Sequence, residues 1–322
     1  MKLFIQIPCY NEEQTLKTTL SELPRELEGF DIVEWLVVDD GCTDRTIEVA
    51  KANGVDHVLR LTRNQGLARA FVAGLNACLK LGADVIVNFD GDNQYRAKDI
   101  PALVEPILHG KADLVVGARP IGEISHFSPV KKILQKIGSW VVRQASKTDV
   151  PDAPSGFRAL SREAAMKMNV FNEYTYTLET IIQAGQKNMA ITSVPVGVND
   201  DLRPSRLVKS IPSYIWRSVG TIVRIFAVYR PFRFFMTIGI ILFGLGFLLG
   251  LRFLYYYFIT DSGVGHVQSL ILAAVLLGMG FQTTLVAFLA DLLAVNRKLM
   301  EDVQFRVRKS ENGKNEEKTS LE

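Results

Sequence analysis

Cysteine and histidine are scarce in this chain. It has three cysteines, Cys9, Cys42 and Cys78, and four histidines in 322 residues. The cysteines show no paired spacing and no accompanying histidine cluster, so neither a disulfide framework nor a structural zinc site is predicted. A reducing, cytoplasmic environment suits this composition. The apolar residues of a first strand begin within three positions of the first residue, so we expect no signal peptide.

Acidic residues are absent from positions 202–233. The net charge of the whole chain is only +3, but this stretch contains seven basic residues: Arg203, Arg206, Lys209, Arg217, Arg224, Arg230 and Arg233. From Ile211 to Phe232 apolar residues recur every three or four positions, which predicts one or two amphipathic helices. Because the basic run borders the most apolar part of the chain, we expect these helices to lie at a membrane surface, and no nucleic-acid partner is predicted.

Charge of either sign is absent from two long stretches. Phe234–Leu251 has 18 residues without a charge and Val267–Ala290 has 24. A membrane-spanning helix needs about 20 apolar residues, so both stretches qualify. The aromatic run Phe253–Phe258 extends the first stretch, and the seven residues Thr260–His266 that precede the second predict a hairpin. Basic residues flank its outer ends, and the connecting loop has one acid and no lysine or arginine, so both ends are expected in the cytoplasm.

The first part of the chain alternates apolar strands with helical patterns. Strands are predicted at Leu3–Ile7, Trp35–Val38, His57–Leu61, Val85–Phe89 and Asp113–Gly117. This alternation is typical of βαβ units with a largely parallel sheet, an α/β fold in which ligands bind where the strands end. The candidate binding residues at those ends are Pro8, Tyr10, Glu12, Asp39, Asp40, Gly66, Asp90, Asp92 and Arg119.

The segment Val85–Tyr95 places two carboxylates directly after a buried strand. Asp90 and Asp92 are two positions apart, so in extended backbone they point the same way. Gly91 between them would let a ligand approach the backbone closely. Two carboxylates suit a hard divalent cation, Mg²⁺ or Mn²⁺, that completes its coordination with phosphate oxygens. The alternative interpretation is a polar turn after a core strand.

Several motifs in order resemble a known family. They are P-C-Y-N-E-E from Pro8, V-D-D-G-C-T-D-R-T from Val38, R-N-Q-G from Arg63 and F-D-G-D-N-Q from Phe89. The set resembles the nucleotide-sugar-binding domain of family 2 glycosyltransferases, which have the Rossmann-like GT-A fold. The segment Asp152–Glu163 and the motif R-P-S-R from Arg203 resemble the branch of dolichol-phosphate mannose synthases and polyprenyl-phosphate glycosyltransferases. The resemblance covers about residues 1–230.

The resemblance implies roles for individual residues. Base and ribose would be held by Pro8, Tyr10, Glu12, Asp40 and, as a weaker candidate, Asp39, within a nucleotide-sugar set that also includes Gly66 and Gly91. Metal and diphosphate would be held by Asp90, Asp92 and Gln94. The acceptor phosphate would be bound by Arg119, Lys132, Lys136, Ser155, Arg203 and Arg206. Within these sets, the catalytic group would be Asp90, Asp92, Arg119 and Arg203.

Each basic candidate has a simpler interpretation. Lys132 and Lys136 are four positions apart and share a face if helical, but a surface helix with stray lysines has the same pattern. The loop 199–209 could close over a diphosphate or could be a linker. Lys132 also stands where the resembling family often has arginine, and lysine cannot bind two oxygens in a planar fork.

These observations together predict a membrane-bound inverting hexosyltransferase. The domains would be a cytoplasmic GT-A catalytic domain (1–209), interfacial helices (210–233), a two-helix hairpin (234–292, with spans 234–258 and 267–290) and a charged tail (293–322), disordered beyond Arg306. A UDP- or GDP-sugar would donate to a polyprenyl phosphate at the inner membrane of a prokaryote. A homo-oligomer is expected, with a tetramer as the candidate. The alternatives are a transferase to a lipid hydroxyl, a processive polysaccharide synthase and a non-catalytic membrane scaffold.

Overall fold

The chain forms two compact units. The computed structural model describes residues 1–120, 137–140, 142–144, 146, 148–170, 176–199, 211–259 and 267–319. The first unit comprises Met1–Val219 together with Glu301–Glu322, and the second comprises Gly220–Met300. Four predicted acceptor residues lie outside the described ranges: Lys132, Lys136, Arg203 and Arg206.

The first unit is built on one sheet of seven strands. The strands are β1 (Lys2–Cys9), β2 (Ile32–Asp39), β3 (His57–Arg60), β4 (Val85–Asn88), β5 (Leu114–Ala118), β6 (Arg158–Ser161) and β7 (Ile191–Pro195). Their order is β3-β2-β1-β4-β6-β5-β7. Every strand pair is parallel except the two that involve β6. The α/β sheet predicted from the alternation of strands and helices is therefore confirmed.

Helices connect the strands of this sheet. Their bounds are Leu16–Glu22, Thr46–Ala52, Leu67–Lys80, Ile100–Leu108, Arg162–Lys167 and Thr177–Gln186, and a single 3₁₀ turn spans Ala97–Asp99. The longest of them, Leu67–Lys80, buries Phe71, Leu75 and Leu79, which are spaced four apart on one face. Burying that stripe removes the apolar face from water and holds the helix against the sheet.

Strand β6 is not among the strands predicted from the sequence. Residues Arg158–Ser161 run antiparallel between β4 and β5. Phe157, Ala159 and Leu160 are fully buried, which is typical of an interior strand, but the arginine among them conceals the apolar pattern. Because β6 lies between β4 and β5, the residues just before Arg158 lie next to the end of β4, which Asp90 follows in the sequence.

The second unit is a helical hairpin with exposed apolar side chains. A single helix of 19 residues, Ile211–Tyr229, precedes the hairpin in the sequence. The hairpin itself consists of the helices Pro231–Ile259 and Val267–Thr319. The last two are long and apolar enough to cross a membrane. Within the unit, Gly239 approaches Gly280 and Thr284, and Gly246 approaches Ala273 and Leu277. The helices therefore run antiparallel and pack through small residues, as membrane helices commonly do.

The end of the last helix belongs to the first unit. Glu301 forms a 3.0 Å ion pair with Lys187, and the Arg308 guanidinium donates to the carbonyls of Met166 and Met168 at 3.1 and 2.8 Å. The helix continues to Thr319, so the prediction of a disordered tail beyond Arg306 is wrong. Two features explain why this segment is helical. It contacts the first unit, called the sheet unit below, and it is rich in lysine and glutamate, which favour helices.

Candidate functional site

The carboxyl ends of three neighbouring strands bring the predicted donor residues together. In the parallel register, Cys9 at the end of β1 faces Asp39 at the end of β2, and Gln6 of β1 faces Asn88 at the end of β4. The segments that follow these strands contain Tyr10, Glu12, Asp40, Asp90 and Asp92. They therefore emerge at one edge of the sheet, where ligands of such folds bind.

The loops after β1 and β2 are joined by reciprocal hydrogen bonds. The Asn11 carboxamide oxygen accepts from the Thr43 N–H at 2.8 Å, and the Thr46 hydroxyl accepts from the Glu12 N–H at 2.8 Å. Cys42 contributes too, since its sulfur accepts from the Asn11 N–H at 3.2 Å. Burial raises the pKa of the Cys42 thiol to about 12, so it stays protonated near neutral pH. The two loops form one preorganised wall.

The adjacent acids Asp39 and Asp40 both shape this wall from inside. The Asp40 carboxylate accepts from the backbone N–H groups of Gln65 and Gly66 at 2.7 and 2.9 Å, which holds the R-N-Q-G turn. Burial raises the Asp40 pKa. Asp39 accepts from the Cys42 N–H at 2.6 Å and lies 3.1 Å from the Arg60 guanidinium. Gly66 has φ of 91° and begins the helix Leu67–Lys80, a backbone conformation that requires glycine.

Asp90 provides a buried oxygen without a hydrogen-bond donor. Its Oδ1 is hidden from solvent and has no hydrogen-bond partner among the described residues. Burial and the negative charge of Asp92 raise the pKa of Asp90, while the positive charges of Arg119 and Arg158 lower it. An unpartnered buried carboxylate oxygen is costly, and a bound cation would remove the cost. The pair Asp90 and Asp92 therefore fits a divalent metal ion.

The chain supplies only part of such a coordination shell. No group of three or more histidine, cysteine, aspartate or glutamate side chains suited to a metal occurs within the described residues. Magnesium and manganese commonly bind one or two carboxylates and take their other ligands from phosphate and water. Gln94 follows Asp92 closely, and its N–H donates to the Asp92 carboxylate at 3.2 Å. This arrangement suits a metal that binds together with a diphosphate.

The glycine between the two acids is required by protein packing. A Cβ at Gly91 would lie 2.9 Å from the Cys9 sulfur. The Gly91 carbonyl accepts from the Thr15 and Thr19 hydroxyls at 2.9 and 3.2 Å, and the Thr15 hydroxyl also lies 3.0 Å from a Glu12 carboxylate oxygen. Glu12 thus takes part in fixing the loop that contains Asp90 and Asp92. Close approach at Gly91 is to strand β1, whereas the sequence suggested approach by a ligand.

Two predicted acceptor residues have protein partners here. The Arg119 guanidinium makes a two-pronged ion pair with Asp152, at 2.7 and 3.1 Å, and the two side chains are 6% and 1% exposed. Burial by itself lowers the pKa of Arg119, but the nearby Tyr95 and the pair with Asp152 outweigh it, so the pKa is raised. Ser155 is fully buried, and its hydroxyl lies 3.4 Å from the Tyr95 hydroxyl. Direct contact of these two side chains with an acceptor stays a prediction.

Sequence reasoning missed the polar cluster beneath Asp90. Arg158 is fully buried and donates to the carbonyls of Ser155 and Thr177, and burial lowers its pKa. Asn88 donates to the Tyr176 hydroxyl at 2.9 Å, and the Tyr176 ring stacks on Phe71 with centroids 3.8 Å apart. The signal available in the sequence was an arginine inside an apolar segment, since arginine is rarely buried without a role.

Comparison with known proteins identifies the family. The family model described as glycosyl transferase family 2 matches residues 4–168, which is about half of the chain. This protein is a family 2 glycosyltransferase. An undecaprenyl-phosphate mannosyltransferase of Micrococcus luteus is 29% identical over 206 residues, covering 61% of this chain and 83% of that protein. The UDP-N-acetylglucosamine–dolichyl-phosphate N-acetylglucosaminyltransferase of Methanococcus voltae is 29% identical over 219 residues, with 60% and 84% covered.

A solved structure shares the fold of this glycosyltransferase. Glucosyl-3-phosphoglycerate synthase from Mycobacterium tuberculosis, in complex with Mn²⁺, UDP and glucosyl-3-phosphoglycerate, aligns with a TM-score of 0.56 at 20% identity. The alignment covers 70% of this chain and 78% of that protein. The GT-A fold and the family membership expected from the motifs are confirmed. The sugar named for the two relatives differs, mannose in one and N-acetylglucosamine in the other.

Proposed function

We propose that this glycosyltransferase moves a hexose from a nucleoside-diphosphate sugar to the phosphate of a polyprenyl lipid. The observation that carries the proposal is the buried, unpartnered Oδ1 of Asp90 at the sheet edge where the donor loops meet. The two relatives support the lipid class, because their names specify an undecaprenyl and a dolichyl phosphate. The apolar hairpin supports an acceptor that resides in a membrane.

The donor would bind along the edge formed by the ends of β1, β2 and β4. The wall that Asn11, Thr43 and Asp40 hold together would receive the base and ribose, with Pro8, Tyr10 and Glu12 on its β1 side. Asp90, Asp92 and Gln94 would hold a Mg²⁺ or Mn²⁺ ion, which supplies Lewis-acid stabilisation of the departing diphosphate when bound. Because these loops are fixed by hydrogen bonds before the donor arrives, little reorganisation is needed during transfer.

The acceptor phosphate would attack the sugar directly. A phosphate monoester is already an anion near neutral pH, so the chain needs no strong general base for this step. A new bond from a phosphate oxygen to the anomeric carbon forms as the bond to the diphosphate breaks, and a single displacement inverts the anomeric centre. Lys132, Lys136, Arg203 and Arg206 are the basic residues proposed to bind the two anions, joined by Arg119 if its pair with Asp152 opens.

Substitution of Asp92 by alanine tests the metal-assisted transfer. We expect D92A to lose transfer to polyprenyl phosphate, because one of the two proposed carboxylate ligands is removed. The matched control is E105A, which removes an exposed carboxylate from the helix Ile100–Leu108. Radiolabelled sugar transfer to a short polyprenyl phosphate is measured with and without a chelator. Full activity of wild type in excess chelator would refute the mechanism.

Other acceptors in the transfer assay, together with a measurement of nucleotide-sugar binding, distinguish the other candidate functions. Activity on dephosphorylated polyprenol or diacylglycerol, equal to that on the phosphate, would indicate a transferase to a lipid hydroxyl. Failure to bind any nucleotide sugar in the presence of Mn²⁺ would indicate a non-catalytic scaffold. A panel of UDP- and GDP-sugars offered to the purified full chain identifies the donor.

We further propose an inner-membrane location with the first unit in the cytoplasm, domain limits at 209, 233 and 292, and a homo-oligomeric state.

A further inference from the structure

The turn directly before strand β6 lies against the carboxylate of Asp90. A Cβ built at Gly156 would lie 2.7 Å from Oδ2 and 3.2 Å from Oδ1 of Asp90, and 3.1 Å from the Tyr176 hydroxyl. Gly156 does not have a positive φ, so its backbone conformation would accept other residues. Space for the carboxylate, rather than backbone conformation, is what requires glycine here.

Three buried side chains hold both backbone groups of Gly156. Its N–H donates to the Tyr95 hydroxyl oxygen at 3.0 Å. Its carbonyl accepts from the Asn88 carboxamide at 3.0 Å and from the Tyr176 hydroxyl at 3.3 Å. Tyr95, Asn88 and Tyr176 are at most 1% exposed, so the glycine is fixed from both sides in a water-poor environment.

Arg158 fixes the residue before the glycine. Its guanidinium donates to the Ser155 carbonyl on one side and to the Thr177 carbonyl, at 3.1 Å, on the other. These acceptors are neutral, and burying a guanidinium on neutral partners alone is unfavourable. A role in holding the turn next to the negative charge of Asp90 gives a reason for an arginine at this buried position.

We propose that the Ser155–Gly156 turn positions Asp90 for metal binding, with Gly156 and Tyr95 as positioning residues. This inference rests on the proposed function, in which Asp90 is a metal ligand. Tyr95 lies five positions after Asp90 in the same loop. Its hydrogen bond to Gly156 therefore connects that loop to the turn that restricts the position of the Asp90 carboxylate. Partners that orient metal ligands typically contribute about 10- to 100-fold to metal affinity.

The test measures Mn²⁺ binding by the full chain in detergent with a saturating nucleoside diphosphate, UDP or GDP, and without acceptor, because the chain supplies only part of the coordination shell. We expect Gly156→Ala to weaken Mn²⁺ binding by about 10- to 100-fold, because the new methyl group displaces the Asp90 carboxylate. The matched control is Gly117→Ala, whose Cβ would lie 3.0 Å from Val196 and 3.1 Å from Phe157. That variant crowds these two side chains and the Phe157 carbonyl oxygen, also 3.1 Å away, rather than the Asp90 carboxylate. We therefore expect it to lose stability while its Mn²⁺ affinity stays within about twofold of wild type.

Tyr95→Phe provides a second variant that removes one oxygen atom. It leaves the Gly156 N–H without its acceptor, and we expect a several-fold loss of Mn²⁺ affinity with the ring packing retained. This variant decides the matter if Gly156→Ala does not fold. Wild-type Mn²⁺ affinity in Tyr95→Phe, or in a folded Gly156→Ala, would overturn the proposal.

Asp90→Ala distinguishes this inference from the function beneath it. If Asp90→Ala abolishes Mn²⁺ binding while the Gly156 and Tyr95 variants bind normally, only the positioning role fails. If Asp90→Ala itself binds Mn²⁺ like wild type, the metal site and the proposed function fail together. Thermal unfolding of each variant separates a local change at Asp90 from general loss of fold.

Discussion

Glycine makes room in both units of this chain, but for different neighbours. In the sheet unit, Gly156 leaves space for the Asp90 carboxylate. In the hairpin, a Cβ at Gly280 would lie 2.6 Å from the backbone nitrogen of Phe243 on the other helix. The first unit uses close approach to place a charge, and the second uses it to bring two helix backbones together.

The same contrast holds for apolar side chains. Phe89 and Phe157 of the sheet unit are fully buried and meet edge to face, with ring centroids 5.3 Å apart. In the hairpin, Phe247 and Leu248 are 53% and 62% exposed. Large apolar side chains left exposed along two helices need an apolar surrounding, and a lipid bilayer provides one. Charge placement thus organises one unit, and close packing of helix backbones organises the other.

The largest effect is expected where the sheet unit buries opposite charges. Arg119→Met leaves the Asp152 carboxylate, 1% exposed, without its two-pronged partner. Removing one member of a buried pair costs about 3–5 kcal/mol. We expect that loss in the free energy of unfolding, measured by urea titration of the full chain in detergent.

The control for this pair is a salt bridge in the same unit that is open to solvent. Glu163 pairs with Lys167 one helical turn away, and its side chain is 61% exposed. Glu163→Gln should cost no more than about 0.5 kcal/mol. Equal losses in the two variants would show that burial does not set the value of the Arg119–Asp152 pair.

The fold of the sheet unit was largely predictable because its signals are local. Apolar runs of β1, β2 and β4 end in acids and glycines, and the parallel topology then brings those ends to one edge. Strand β6 was not predictable, because Arg158 interrupts its apolar pattern and its partners β4 and β5 lie far away in sequence. The two helices of the hairpin were predictable from their long uncharged apolar stretches, because runs of that length are typical of helices that can cross a membrane.

The candidate site was predictable only for residues whose motifs are contiguous. Asp90, Asp92 and Glu12 could be named from sequence. The Arg119–Asp152 pair joins residues 33 positions apart, and the bonds from Asn88 and Tyr95 to Gly156 join residues 68 and 61 apart. No spacing rule connects such pairs, so the partners that position Asp90 became visible only in three dimensions.

An intermediate effect is expected in the hairpin. Gly280→Leu inserts a large side chain where the backbone of Phe243 approaches, and overpacking of this kind costs about 1–3 kcal/mol. The matched control is Gly278→Leu, two positions earlier on the same helix, where a Cβ meets nothing within 4 Å. Thermal stability in detergent should fall for the first variant only. Equal stability of the two would contradict packing of the helices through Gly280.

The smallest effect is expected where the last helix joins the sheet unit. Arg308 donates to the carbonyls of Met166 and Met168 at the end of the helix Arg162–Lys167, where a positive charge is favourable. Arg308→Ala leaves two carbonyls without a charged donor, so we expect a loss of about 1–2 kcal/mol.

Arg306 offers a control on the same helix. Its side chain is exposed and, among the described residues, forms its ion pair with Asp302 of that helix. Arg306→Ala should cost about 0.5 kcal/mol or less. The local measurement is amide hydrogen exchange at residues 165–169. We expect faster exchange there in Arg308→Ala, because the two hydrogen bonds to the carbonyls are lost, and no change in Arg306→Ala. Unchanged exchange in both variants would mean that the Arg308 contact adds nothing to the stability of the helix Arg162–Lys167.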